Sequence, residues 1–243
     1  MTEIREPDHI REYRDVLRRF VANEMPREAA AEWDRLDSYP KEVVAKLAEL
    51  GVMGLTIPEE YGGAGRDIYA TMVVIEELCK RSTAIAAPFI MATCYGGMNI
   101  VESGSAEQKK ALLPKLATGE MLFAYGLTEP DVGADLASVK TRVERRGDAL
   151  VVNGTKRFCT GAKYADYIYT LARSDAEAPR YKNLSLVLVP RGSAGIEITE
   201  IDAIGQRGVG TTDVHFDDVE VPIENVVGGE AGWNNGWSIS TFR

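Results

Sequence analysis

The sequence is short of cysteine and histidine: three Cys and two His in 243 residues. Cys79, Cys94 and Cys159 have no spacing that suits a metal, so no metal site is expected. An odd, scattered set fits a reducing, cytoplasmic setting better than a disulfide framework. Positive charge is also in deficit. Lys and Arg number 28 against 37 Asp and Glu, a net charge of −9, which argues against nucleic acid or an anionic membrane surface as the main partner. No apolar run is expected to reach the length that spans a bilayer, and the acidic, polar N-terminus is unlike a signal peptide. There is no tandem repeat and no low-complexity tract.

What is present is globular in composition, with 45% hydrophobic and 27% charged residues. That length supports one large or two modest domains with a real core. The first half reads as helices. From Asp8 to Met25, Ile10, Tyr13, Leu17, Phe20 and Val21 share one face. Asp8 is placed to cap that helix, and Arg11, Arg14, Arg18 and Arg19 are expected to form a solvated face. A second helix is expected from about Pro40 to Leu50, with Ser38 just before it, Gly51 at its exit and Val43, Val44, Leu47 and Leu50 as its buried stripe. Gly51–Gly65 is a glycine-rich loop. Asp67 is expected to cap a helix through Arg81 whose stripe is Ile68, Met72, Ile75 and Leu78. Ser82–Gly104 is almost uncharged, so it should be a central helix, kinked or restarted at Pro88, with Met91, Cys94 and Tyr95 in the core. Ser105 and Gln108 have the capping-box spacing for a helix running to Thr118.

The pattern changes at Met121. Strands are expected at Val139–Arg145, Ala149–Val152, Tyr167–Ala172, Leu184–Val189 and Val214–Val221, with His215 a paired strand residue. Gly147-Asp148 reads as a turn and Asn153-Gly154 as a hairpin signal. Helices followed by strands give an α+β fold: an all-α domain over 1–120, a mostly antiparallel, barrel-like β-domain over 121–228, and the opening of a further helix over 229–243.

The chain is organised around Phe123–Ser138. Phe123, Tyr125 and Leu127 alternate as in a strand, Glu129-Pro130-Asp131 breaks it, and Gly133 follows. Taken residue by residue, this is either an ordinary strand-to-loop exit or a place where backbone N–H groups meet an anionic or carbonyl-rich ligand. Leu127-Thr-Glu-Pro-Asp-Val-Gly-Ala-Asp135 resembles the flavin signature of the acyl-CoA dehydrogenases, Thr-Glu-Pro-x-Ala-Gly-Ser-Asp. Asn153-Gly-Thr-Lys-Arg-Phe-Cys-Thr-Gly161 resembles that family's second motif, NGxKxWITN. Pro58–Gly65 is similar to its P-x-x-Y-G-G-x-G connector, which in the family passes near the acyl end of the substrate. The likeness covers essentially the whole chain.

The resemblance implies FAD-dependent α,β-dehydrogenation of an acyl-CoA thioester to a 2-enoyl-CoA, in fatty acid metabolism. Electron-transfer flavoprotein would be the acceptor and a homo-oligomer, dimer or tetramer, the assembly. It places Tyr125, Leu127 and Thr128 along the flavin, Gly133 and Ala134 near the cofactor phosphates, and Phe158, Cys159 and Thr160 beside the ring. Ala134 stands where the family has a serine, so a hydroxyl toward phosphate or the CoA moiety is missing, and Ala134 is also the candidate substrate contact. In the family the catalytic Glu belongs to a C-terminal four-helix domain. That places the base beyond Arg243, and the 243 residues alone are expected to be inactive. Two other readings stay open: a flavin oxidase or monooxygenase of the same fold, and a non-catalytic partner subunit of a complete dehydrogenase.

Overall fold

Each helix forms where an apolar stripe meets a stop. In the computed structural model, which describes residues 6–37 and 40–240, α1 spans Asp8–Glu24, α2 Arg27–Arg35, α3 Lys41–Glu49, α4 Ile68–Cys79 and α5 Thr83–Ile90. The same helix continues as a π-helical stretch, Met91–Met98, and then as α6, Asn99–Ser103; α7 is Ala106–Ala117. Ser38 and residues 241–243 lie outside the described residues. The Asp67 carboxylate caps α4 by accepting the Ala70 N–H at 2.8 Å. Ser105 and Gln108 close a full capping box on α7. Gln108 also binds across the fold: its amide donates to the carbonyls of Glu224 and Val226, and its oxygen accepts the Gly228 N–H.

Among the described residues seven strands follow: β1 Phe123–Gly126, β2 Arg142–Arg146, β3 Ala149–Lys156, β4 Tyr167–Arg173, β5 Leu184–Pro190, β6 Ile196–Ile201 and β7 Thr211–Pro222. They make one curled mixed sheet, ordered β1-β4-β2-β3-β7-β6, with β5 also on β4. β1 and β4 run parallel; β2–β3, β3–β7, β4–β5 and β6–β7 are antiparallel. A short helix, α8, Gly236–Ser240, ends the described chain. Two apolar cores join helices to sheet. One holds Leu17, Leu47, Val74 and Phe89 with Ile168, Val214 and Phe216; the other holds Leu113 and Leu116 with Phe123, Tyr169 and Leu186.

The structure corrects several expectations. Asp8 does not cap α1; Pro7 holds the cap position and Asp8 pairs with Arg11 in the first turn. Arg14 is not on a solvated face. It is mostly buried and binds Glu6 on its own side and Glu76 and Glu77 on α4. The buried stripe of α4 is Ala70, Val73, Val74 and Leu78, whereas Ile68 and Met72 are 42% and 56% exposed. The helix is apolar nearly all round, so its periodicity does not fix the buried face. Leu50 is likewise exposed rather than part of the α3 stripe. Residues Thr83–Ser103 form a 21-residue helix long and apolar enough to cross a membrane, contrary to expectation, and two-thirds of it is buried inside the fold. α2 and β6 have no counterpart among the elements the sequence pattern predicts. Asn153-Gly154 is no hairpin: both lie inside β3, at a bulge where the register against β7 shifts between Val152 and Gly154.

Gly154 has φ +142°, and a Cβ there would sit 2.6 Å from Thr141 Cα and Oγ1. Gly154→Ala is therefore expected to destabilise the protein by about 1–3 kcal/mol. Urea unfolding reads this directly, and an unchanged midpoint would show that the bulge does not depend on glycine.

Candidate functional site

The candidate site forms where β1 leaves the sheet. β1 is held by β4 up to Gly126. Beyond it, Glu129 and Val132 close a tight turn through two backbone hydrogen bonds, 2.8 and 3.1 Å, as Pro130 requires. The next contact joins the two sequence motifs. The Arg157 N–H donates to the Thr128 carbonyl at 2.8 Å, which brings Arg157-Phe-Cys-Thr160, the exit of β3, to the exit of β1.

A buried ion pair fixes this join from behind. The Lys156 ammonium, wholly buried, donates to Glu129 Oε1 at 2.9 Å and to the Leu127 carbonyl at 3.1 Å. The Glu129 carboxylate, 4% exposed, also accepts the N–H groups of Lys140 and Thr141 at 2.7 and 2.8 Å. Burial pushes the Glu129 carboxyl up, but Lys156 and these N–H donors outweigh it and hold it below the ordinary carboxylate range. Burial pulls the Lys156 ammonium down to about 8 against the pull of Glu129.

The structure places the sequence-derived candidates as follows. Leu127 and Thr128 are half-buried at the strand exit, and Gly133 and Ala134 are exposed on the loop after it. The Tyr125 ring turns inward. It stacks on Tyr95 at 3.9 Å between centroids, and its hydroxyl accepts from the Asn99 amide at 2.5 Å. That amide also binds the Tyr95 and Cys94 carbonyls at the end of the π-helical stretch, a local geometry often found at functional sites. Phe158 is 58% exposed and holds φ +59°, costly for an aromatic residue. The neighbouring backbone enforces it: Thr160 N–H donates to the Phe158 carbonyl, and Cys159 N–H to the Thr212 carbonyl. Arg157 lies 5.4 Å from the Phe158 ring. Cys159 itself is fully buried, with its carbonyl taken by the Thr212 hydroxyl at 2.9 Å.

The join thus brings Leu127 and Thr128 together with Phe158 and Thr160. Gly133 and Ala134 stand off on their own loop, and the Cys159 side chain points into the core. Sequence reasoning left out Glu129 and Lys156 as site residues, although both stand inside the quoted motifs. It also passed over Asn99 and Thr212, and read Tyr95 as a core residue. No local signal marked the pair, since Glu129 reads as a turn residue and Lys156 follows the polar Asn153-Gly-Thr155.

The surface at the join is hydrogen-bonding, with an exposed aromatic ring and the Arg157–Asp213 ion pair beside it. It suits a flat ligand with a polar edge. Nothing lies within 4 Å of a Cβ built at Gly133, which leaves its backbone open to a ligand. Among the described residues no group of three His, Cys, Asp or Glu could hold a metal. An open cleft of about 1030 Å³ lies at the other end of β1, by Leu122, Asp166 and Lys163, and does not include the join.

The acyl-CoA dehydrogenase N-terminal domain matches residues 7–120 and the acyl-CoA dehydrogenase middle domain residues 124–219. The chain is 36% identical over 220 residues to a short-chain specific acyl-CoA dehydrogenase of Clostridium acetobutylicum, covering 89% of this chain and 57% of that protein. It is 37% identical over 240 residues to (2S)-methylsuccinyl-CoA dehydrogenase of Cereibacter sphaeroides, covering 95% and 43%. The structure of a glutaryl-coenzyme A dehydrogenase–glutaryl-CoA complex superposes with a TM-score of 0.89 at 32% identity, covering 98% of this chain and 60% of that one. The chain thus spans about half the length of the curated relatives it matches.

The ion pair gives stability a defined pH dependence. Glu129 titrates lower in the folded than in the unfolded protein, so its contribution is complete above about pH 4.5 and is lost as the pH falls below. Lys156 is also lowered. Between about pH 8 and 10.5 the unfolded chain holds a proton the folded one has released, so this group makes stability rise with pH across that window. Urea unfolding from about pH 2 to 10 should show both limbs, and Lys156→Met/Glu129→Gln should flatten them. Identical profiles for the two proteins would refute the assignment.

Proposed function

The chain belongs to the acyl-CoA dehydrogenase family, and we propose that the protein it comes from carries out FAD-dependent α,β-dehydrogenation of an acyl-CoA thioester to the 2-enoyl-CoA. One observation supports this above the others: the hydrogen bond from Arg157 N–H to the Thr128 carbonyl, which joins the two flavin-type motifs at one strand exit. The domains would be 1–120 helical, 121–228 flavin-bearing, and 229–243 the start of a C-terminal helical domain. Electron-transfer flavoprotein is the proposed acceptor, and a dimer or tetramer the proposed assembly.

The residues present fit FAD. Bound there, it supplies the two-electron acceptor. Leu127 and Thr128 offer peptide groups, and Thr128 a hydroxyl, to the polar edge of the ring. The Thr160 hydroxyl adds a donor on the opposite side of the join, Phe158 shields a face and excludes water, and Tyr125 backs the strand through its contacts with Tyr95 and Asn99. Cys159 contributes by its backbone, which Thr212 anchors on both sides. Gly133 and Ala134 approach the phosphates by their main chain. Without the family's hydroxyl, Ala134 loses one hydrogen bond, about 0.5–1.5 kcal/mol, too little to abolish cofactor binding. No carboxylate in the described residues is assigned as base. Glu129 is committed to Lys156 and two N–H groups, and the base is proposed to lie beyond Arg243.

The full-length protein is expected to purify with flavin absorbance that bleaches anaerobically on adding an acyl-CoA thioester and to release the 2-enoyl-CoA. A flavin-free protein, or flavin that no thioester bleaches, would sink the reading. Residues 1–243 alone should form no enoyl product. Phe158→Ala should weaken flavin retention by about 0.5–1.5 kcal/mol, the worth of an aromatic contact, without lowering the melting temperature, because the ring packs mainly against solvent.

A further inference from the structure

We propose that Lys156 is a positioning residue that raises the electron affinity of the bound flavin, acting through the Leu127–Thr128 peptide group without touching the cofactor. The inference rests on the flavin reading above. It begins with an anomaly of burial. A wholly buried ammonium costs several kcal/mol even when paired, and an apolar side chain of similar volume generally serves packing as well or better. Glu129 already accepts two backbone N–H groups, so the lysine balances its charge but is not needed to complete its hydrogen bonding. What Lys156 adds is its second hydrogen bond, 3.1 Å to the Leu127 carbonyl.

That carbonyl and the Thr128 N–H are the two ends of one peptide unit. A cation on the oxygen draws electron density along the unit and makes the N–H a stronger donor, an effect the dry surroundings preserve. No described residue accepts the Thr128 N–H, whereas the Thr128 carbonyl is taken by Arg157. The free, polarised donor therefore points out of the protein's own hydrogen-bond network at the proposed flavin edge. Negative charge grows on that edge as the flavin is reduced, and a fixed donor aimed there favours the reduced form. The groups facing the ammonium from the packed elements are Glu129 and the buried Cys159 thiol, with Asp213 beyond it. The lysine stem passes Gly126 at ordinary contact: a Cβ there would lie 3.4 Å from Lys156 Cγ, and closer to Ile168 Cγ2, at 2.9 Å.

The test uses the full-length flavoprotein, with midpoint potential read by dye equilibration and stability by urea unfolding. Lys156→Met alone strands the Glu129 carboxylate and should be the least stable. Lys156→Met/Glu129→Gln removes both charges and should recover stability. A merely structural lysine would restore the potential together with the stability. The proposal expects a split: the double variant unfolds like wild type, yet its preference for reduced over oxidised flavin stays about tenfold lower, a drop of about 30 mV for a two-electron couple. A wild-type potential in the stable double variant overturns the proposal. So does a stable double variant that holds no flavin, since Lys156 would then retain the cofactor rather than tune it. If the double variant does not fold, Lys156→Gln/Glu129→Gln is measured in its place. A lowered potential there supports the proposal and an unchanged one overturns it. A wild-type protein without flavin would instead remove the functional reading itself.

Discussion

The buried pair of Lys156 and Glu129 is the constraint on which the rest of the site depends. Each partner belongs to a different motif, 27 residues apart in the chain. Neither can be dried out alone at tolerable cost, so the exits of β1 and β3 must come together for either to be buried. Three further bonds then follow at fixed places: Glu129 to the Lys140 and Thr141 N–H groups and Lys156 to the Leu127 carbonyl. The turn at Pro130 and the crossing of Arg157 to Thr128 are consequences of that join.

The helical half supports the same strand exit from the other side. The π-helical stretch Met91–Met98 brings Tyr95 flat against Tyr125, and Asn99 then ties that helix to β1 through the tyrosine hydroxyl. Close packing keeps the helix there: a Cβ at Gly96 would meet Leu116 Cδ2 at 2.3 Å and one at Gly161 would meet Met91 Sδ at 2.4 Å. Arg14 plays a related part farther out, bridging α1 to the two glutamates of α4. The polar bonds set positions while the two apolar cores supply most of the driving force.

Much of the fold was legible because its signals are local. The Ser105–Gln108 box, the Asp67 cap and the two motifs depend on neighbours in sequence and survive into the structure. The failures are long-range. Asn153-Gly154 has hairpin chemistry, yet β7 pairs across it and Thr141 crowds it, so it becomes a bulge. The face of α4 that is buried depends on α1, whose Arg14 reaches Glu76 and Glu77 from across the fold. Thr83–Ser103, expected to kink or restart at Pro88 and to fall short of bilayer length, instead runs as one 21-residue helix, two-thirds of it buried inside the fold. At the site, the motifs marked the two strand exits that the structure brings together, but the partnership of Glu129 and Lys156 could not be read, because each charge taken singly looks like a turn or surface residue.

A site assembled this way is made chiefly of backbone. Peptide groups at Leu127, Thr128 and Gly133, and the strained chain at Phe158, face the proposed ligand, while the side chains that fix them point inward. Substitution at exposed positions, such as alanine for serine at Ala134, then changes one hydrogen bond and leaves the frame intact. Substitution at the inward positions changes the frame itself. By this logic the residues that determine the site's geometry are Glu129, Lys156, Asn99 and Thr212, all buried, and tolerance to mutation should fall with burial rather than rise with distance from the ligand. The strain held at Phe158 agrees with that order, since such a conformation persists only where the surrounding hydrogen bonds over-determine it, as the bonds from Thr160 and to Thr212 do here.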